Sequence, residues 1–127
     1  MCGIVCLISP NVEIRPKLIE TMRDSLYHRG PDACGLWFDS QRNIALAHRR
    51  LSIIDLDKRS HQPLVSICQR YIISFNGEIY NYQSIKKKLL LLGHKFKTNS
   101  DTEIIIEAYK AWGVNCLKEF NGMFAFI

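Results

Sequence analysis

Met1-Cys2-Gly3-Ile4-Val5-Cys6-Leu7-Ile8 opens the chain, and the fold is read outward from it. The run is apolar, rich in β-branched residues and stopped by Ser9-Pro10-Asn11, which predicts a buried strand over 2–8. In such a strand Cys2, Ile4, Cys6 and Ile8 share one face. Cys2 directly follows the initiator methionine. Aminopeptidases generally remove Met ahead of a small residue, and Cys is small enough. Removal leaves one residue carrying both a thiol and a free α-amine. A thiolate is the reactive nucleophile, and an α-amine titrates at about 7.7–8.0. One residue can then supply both nucleophile and base. An apolar strand with a chance cysteine explains the same eight residues, so the rest of the chain must decide.

Downstream of that strand, Pro16 suits the first turn of a helix. Leu18, Ile19, Met22 and Leu26 follow at helical spacing, predicting a helix over 16–28 that Gly30-Pro31-Asp32 breaks. Two strands are expected over 35–39 and 43–48, joined by a turn at Ser40-Gln41-Arg42. Residues 51–55 read as strand or loop and 56–63 as a loop. Residues 71–75 read as a strand ended by the turn pair Asn76-Gly77. A second helix over 81–92 has Ile85, Leu89 and Leu92 on one face, with Gly93 at its end. Ser100-Asp101-Thr102-Glu103 is a capping-box pattern opening a third helix over 102–112. That helix is expected to turn Ile105, Ala108, Tyr109 and Trp112 to the core. A short helix over 115–120 and an apolar strand over 122–127 complete the chain. Strands group with strands and helices with helices, which favours an α+β layered fold over a doubly wound one.

A length of 127 residues suits one domain, and 47% apolar residues are enough for a core. A charged fraction of 23% with four prolines argues against disorder. No apolar run approaches the roughly 18 residues of a membrane span, and no charged segment precedes the first apolar stretch, so neither an anchor nor a secretory signal is expected. Cys2, Cys6, Cys34, Cys68 and Cys116 form no CxxC pair, which argues against a zinc site or a disulfide framework and suits a reducing, cytoplasmic setting. The net charge of +5 is partly gathered in Lys86-Lys87-Lys88 and Arg49-Arg50. The lysines sit among apolar helical positions and read as a solvated face, so no nucleic-acid partner is expected.

Four further stretches carry chemistry-bearing residues: His28-Arg29-Gly30-Pro31-Asp32, the segment from Ala47 to Asp55, Asn76-Gly77-Glu78-Ile79-Tyr80-Asn81, and Ser100-Asp101. Together with Met1-Cys2-Gly3-Ile4 and Gln62-Pro63-Leu64, in this order, they closely resemble the glutaminase domain of the asparagine synthetases. These are class II glutamine amidotransferases, a group of N-terminal-nucleophile hydrolases. The resemblance covers essentially the whole chain. It implies a four-layer αββα sandwich of two antiparallel sheets. It also implies hydrolysis of L-glutamine to glutamate and ammonia through a γ-glutamyl thioester. The ammonia would pass to a synthetase domain that uses ATP and magnesium. No cofactor or metal is implied for the glutaminase domain itself.

Residue by residue, the resemblance makes Cys2 the nucleophile, with its own α-amine as base. Asn76 and Gly77 match the oxyanion hole, where an amide N–H and a backbone N–H can meet developing charge. A type I′ hairpin turn is the other reading of Asn76-Gly77. Arg50 matches the arginine that pairs with the substrate α-carboxylate, a bidentate fit for guanidinium. Its neighbour Arg49 reads as a solvated surface arginine. Leu51, Ser52, Ile53 and Ile54 would present backbone groups along the substrate. Glu78 and Asp101 match positions that hold the α-ammonium, although a carboxylate in a first helical turn also suits the macrodipole. Arg29 and Gly30 are expected to shape the loop beside the nucleophile. The four histidines are read as structural.

The run Met123-Phe124-Ala125-Phe126-Ile127 has no turn or polar finish. It leads to the expectation of an incomplete glutaminase domain over 1–127, with the synthetase domain absent and sheet edges open to a homodimer contact. Two rivals stand beside the glutaminase reading. One is a non-catalytic glutamine-binding or interaction fragment; the other is the glutaminase domain of a different class II amidotransferase.

Overall fold

The computed structural model describes residues 2–51 and 61–127. Strand β1 (Gly3–Ile8) pairs antiparallel with β3 (Ile44–Arg50), which pairs antiparallel with β2 (Ala33–Asp39) on its other side. Helix α1 (Pro16–Ser25) lies on one face of this sheet. Its fully buried Ile19 packs with Val5, Ile14, Ala45 and Ala47. Gly3 and Val5 are the buried positions of β1. Ile4 and Cys6 are half-buried and Ile8 is exposed, so the strand expected to be buried is buried on one face only.

The helix expected to reach residue 28 stops at Ser25, and Tyr27–Arg29 forms a 3₁₀ turn. Leu26 caps α1, donating its N–H to the carbonyls of Arg23 and Asp24. The tighter turn is compatible with the position of Arg29, whose Nε donates to the Cys2 carbonyl at 3.0 Å.

The second half carries its own core. Strands β4 (Leu64–Val65) and β5 (Ile72–Ile73) pair with each other, as do β6 (Phe75–Ile79) and β7 (Gly122–Phe126). Helices α2 (Tyr82–Leu91) and α3 (Asp101–Trp112) pack against them. Ile79, Leu89 and Ile104 are fully buried here, each contributing about 1.5–3 kcal/mol of apolar burial. Ser74 separates β5 from β6, where the sequence predicts one strand over 71–75. Its Oγ donates to the Ala47 carbonyl of β3 at 3.2 Å.

Asn76-Gly77 forms no turn. Both residues lie inside β6, with Asn76 opposite Ala125 and Gly77 opposite Phe124. Gly77 has φ +147°, and a Cβ there would lie 2.2 Å from the Met123 carbonyl oxygen. Glycine here permits close strand approach rather than chain reversal.

Helix α2 buries Ile85 and Leu89 as expected, but Leu92 is 60% exposed because the helix has already ended at Leu91. Gly93 follows with φ +87°. In α3 the first two turns are buried, Ile105 and Ala108 among them. Trp112 is half-buried, and Tyr109 is 43% exposed, its ring edge-on to Tyr71 at 5.8 Å. Ser100 caps α3 by accepting from the Glu103 N–H at 3.3 Å. The Glu103 carboxylate does not complete the expected box. It accepts instead from the N–H groups of Lys97 and Thr98 and from the Thr98 hydroxyl. Glu103 thereby orders the turn that leads into the helix.

Among the described residues, no helix is long and apolar enough to cross a membrane. All five cysteines are free.

Candidate active site

A cavity of about 220 Å³ lies where β1, β3, β6 and the start of α3 converge. Cys2 enters it from the start of β1. Its Sγ accepts from the Leu51 N–H at 3.4 Å and stands 3.7 Å from the Leu51 carbonyl oxygen. Arg50 and Leu51 line the cavity at the end of β3, and Arg50 is buried. Asn76, Gly77 and Glu78 line it from β6, and Asp101 from the N-terminus of α3. Ser52, Ile53 and Ile54 lie outside the described residues.

The edge of β6 gives the cavity its hydrogen-bonding character. Ser74 and Ile127 exchange two N–H···O bonds of 3.0 Å, and Tyr80 donates to the Asn121 carbonyl at 2.7 Å. The antiparallel alternation therefore turns the N–H groups of Phe75, Gly77 and Ile79 away from β7. Side chains meet the outer two: Gln62 Oε1 accepts from Phe75 at 2.6 Å and Asp101 Oδ2 from Ile79 at 3.2 Å. Gly77 stands between them, with its N–H on the same edge. Asn76 Oδ1 is buried with no partner among the described residues. A half-turn of that amide puts an N–H donor in the same place.

Charges are arranged around this row. Arg50 is fixed and cationic, while Glu78 and Asp101 are acidic. Burial pushes the Asp101 carboxyl up from the usual carboxylate range. N–H groups of Ile79 and the first turn of α3 oppose that shift, and the Glu78 charge adds to it. His48 is 1% exposed, and its Nε2 donates to the Phe75 carbonyl at 3.0 Å. Burial lowers its pKa to about 4, against the Phe75 hydrogen bond and with help from Arg50. His48 is thus neutral and ties β3 to β6.

Arg49 is no solvated arginine. It bonds Asp24 at 2.6 Å and lies over the Tyr27 ring at 5.1 Å, joining β3 to α1 and the 3₁₀ turn. Gln62, Tyr80 and Thr102 also line the cavity, although the sequence reading gave none of them a role. The available signals were their positions inside or beside the motifs, Thr102 directly following Asp101. Among the described residues, no group of three or more His, Cys, Asp or Glu is placed to hold a metal.

A half-buried thiol, the Gly77 N–H between two edge N–H groups that side chains already occupy, and side chains of opposite charge face one cavity, which suits a small zwitterion bearing a carbonyl. A family model for the glutamine amidotransferase domain matches residues 1–127, and the chain belongs to that family. Its relatives include a glutamine-hydrolyzing asparagine synthetase of Zea mays, 39% identical with all of this chain and 21% of that protein aligned. Asparagine synthetase 1 of Bacillus subtilis is 37% identical, with 100% of this chain and 20% of the relative covered. Amidase chry2 of Gibberella zeae is 38% identical over the same shares. The chain spans about a fifth of the length of these relatives.

Proposed function

We propose that this chain hydrolyses L-glutamine to glutamate and ammonia, with Cys2 as nucleophile. The observation that carries the reading is the meeting of the Cys2 thiol, Arg50, the Gly77 edge of β6 and Asp101 in one cavity. Arg50 pairs with the substrate α-carboxylate, while Glu78 and Asp101 take its α-ammonium. These contacts hold the side-chain amide over Cys2. Once Met1 is removed, the Cys2 α-amine accepts the thiol proton and the sulfur attacks the amide carbon. The Gly77 N–H and the Asn76 amide stabilise the oxyanion, each such donor being worth about 10²–10³ in rate. The amine returns the proton to the departing nitrogen, ammonia leaves, and a γ-glutamyl thioester remains. Water attacks the thioester carbonyl, releasing glutamate and restoring the thiol. Leu51 holds the sulfur through its N–H.

The finer architecture belongs to the same reading: a four-layer αββα sandwich with the β1–β3–β2 and β6–β7 sheets inside. The links from Ser74 and His48 between β3 and the β5–β6 segment support it. We further read the 127 residues as the glutaminase part of a longer cytoplasmic protein. A synthetase domain using ATP and magnesium would there consume the ammonia to make asparagine. The chain's similarity to an amidase as well as to asparagine synthetases leaves the ammonia acceptor to that second domain.

The test is covalent. The processed protein is treated with 6-diazo-5-oxo-L-norleucine, a glutamine-mimicking electrophile, and digested for mass spectrometry. Label on Cys2, together with loss of glutamine hydrolysis in Cys2→Ala, is expected. Undiminished turnover in Cys2→Ala would refute the proposal, as would a mature chain that retains Met1.

A further inference from the structure

We infer that Gln62 is a positioning residue that sets the spacing between the Asn76–Gly77 segment and the Asp101 end of α3. The inference rests on the glutaminase reading above. Gln62 is 8% exposed and lines the cavity. Its side chain uses both ends of its amide. Oε1 accepts from the Phe75 N–H at 2.6 Å, one residue before Asn76. Nε2 donates to Thr102 Oγ1 at 3.2 Å, one residue after Asp101. Its backbone is braced as well. The Gln62 carbonyl oxygen presses on β2, where a Cβ at Gly35 would lie 1.9 Å away.

The consequence is geometric. Two clamps join β6 to α3. Gln62 holds Phe75 to Thr102, and Asp101 itself accepts from Ile79. Gly77 lies midway between the clamped residues. The developing oxyanion is met on β6, and the substrate ammonium is shared between Glu78 on β6 and Asp101 on α3, so the spacing of β6 and α3 must match one ligand. Asp101 alone is a single pivot. The Gln62 bridge adds a second point and removes the freedom to rock. Only a side chain offering an acceptor and a donor at this reach makes both bonds without adding charge beside Asp101.

The experiment is steady-state glutamine hydrolysis by the natural full-length chain, with thermal midpoints measured alongside. Gln62→Met keeps the volume and removes both bonds. Its kcat should fall on the order of 10²-fold, the cost of about 1 Å of misplacement. Thr102→Val cuts only the α3 arm and should raise KM roughly fivefold, with a smaller change in kcat, as loss of one hydrogen bond predicts. Thr102→Ser should recover most of what Thr102→Val loses. Ile85→Val, a core loss away from the cavity, should lower the midpoint without this kinetic split.

A Gln62→Met enzyme within about threefold of wild-type kcat overturns the inference. So does a loss of kcat that follows the midpoint equally in Ile85→Val. If Gln62→Met fails to fold, the Thr102 pair decides: an unchanged KM in Thr102→Val, or no recovery in Thr102→Ser, is a refutation. A wild type inert towards glutamine sinks the functional reading and this inference with it. An active wild type that Gln62→Met leaves unchanged sinks the inference alone.

Discussion

Acidification should destabilise this protein through His48, and the size of the effect can be worked out beforehand. The ring is 1% exposed, and burial is the main cause that brings its pKa from 6.5 to about 4. In the unfolded chain the same histidine titrates near its ordinary value. Between these two values the unfolded state binds a proton that the folded state does not, so stability rises with pH across this window and falls on acidification. The gap from 6.5 to about 4, at 1.36 kcal/mol per pH unit, amounts to about 3 kcal/mol lost by the time both states are protonated. His48→Gln removes the titration while retaining an N–H that reaches the Phe75 carbonyl. Urea denaturation of both proteins from pH 7.5 to 4 gives two stability curves, and their difference cancels every other titrating group. The wild type should lose about 3 kcal/mol relative to the variant, most steeply below pH 6. Parallel curves, or a wild type that gains on the variant as pH falls, would show that the imidazole is not held neutral by burial.

Two smaller tests probe the frame around the cavity. Leu89→Ala leaves a void in the core of the second half and should cost about 2–5 kcal/mol, read as a lower urea midpoint with an unchanged slope. Ser100→Ala removes the acceptor for the Glu103 N–H at the start of α3 and should cost about 1 kcal/mol in the same assay. An effect near zero would mean that the Glu103 carboxylate alone holds that end.

Much of the frame was legible because period and punctuation agree locally. The helical spacing of Leu18, Ile19 and Met22 located α1, and Ser100 with Gly113 bracketed α3. What escaped was set by partners distant in sequence. Asn76-Gly77 has turn chemistry, yet β7 lies close enough to hold it in a strand, and only the spatial pairing reveals that. Arg49 looked like one of two surface arginines until Asp24 and Tyr27 came up beside it from α1 and the 3₁₀ turn. At the cavity, motif order pointed to Cys2, Arg50, Asn76 and Asp101. Gln62 and Thr102 sit 40 positions apart, and nothing local in either residue announces their bond.

The outward edge of β6 has one more property. A row of bare amides on a strand invites a foreign chain to zip alongside, the usual first step towards fibres. Here Gln62, His48 and Asp101 occupy the docking points at Phe75 and Ile79, so an incoming strand finds its bonding sites taken at alternate intervals. The side chains that line the cavity also interrupt the row of bonding sites that a second strand would need.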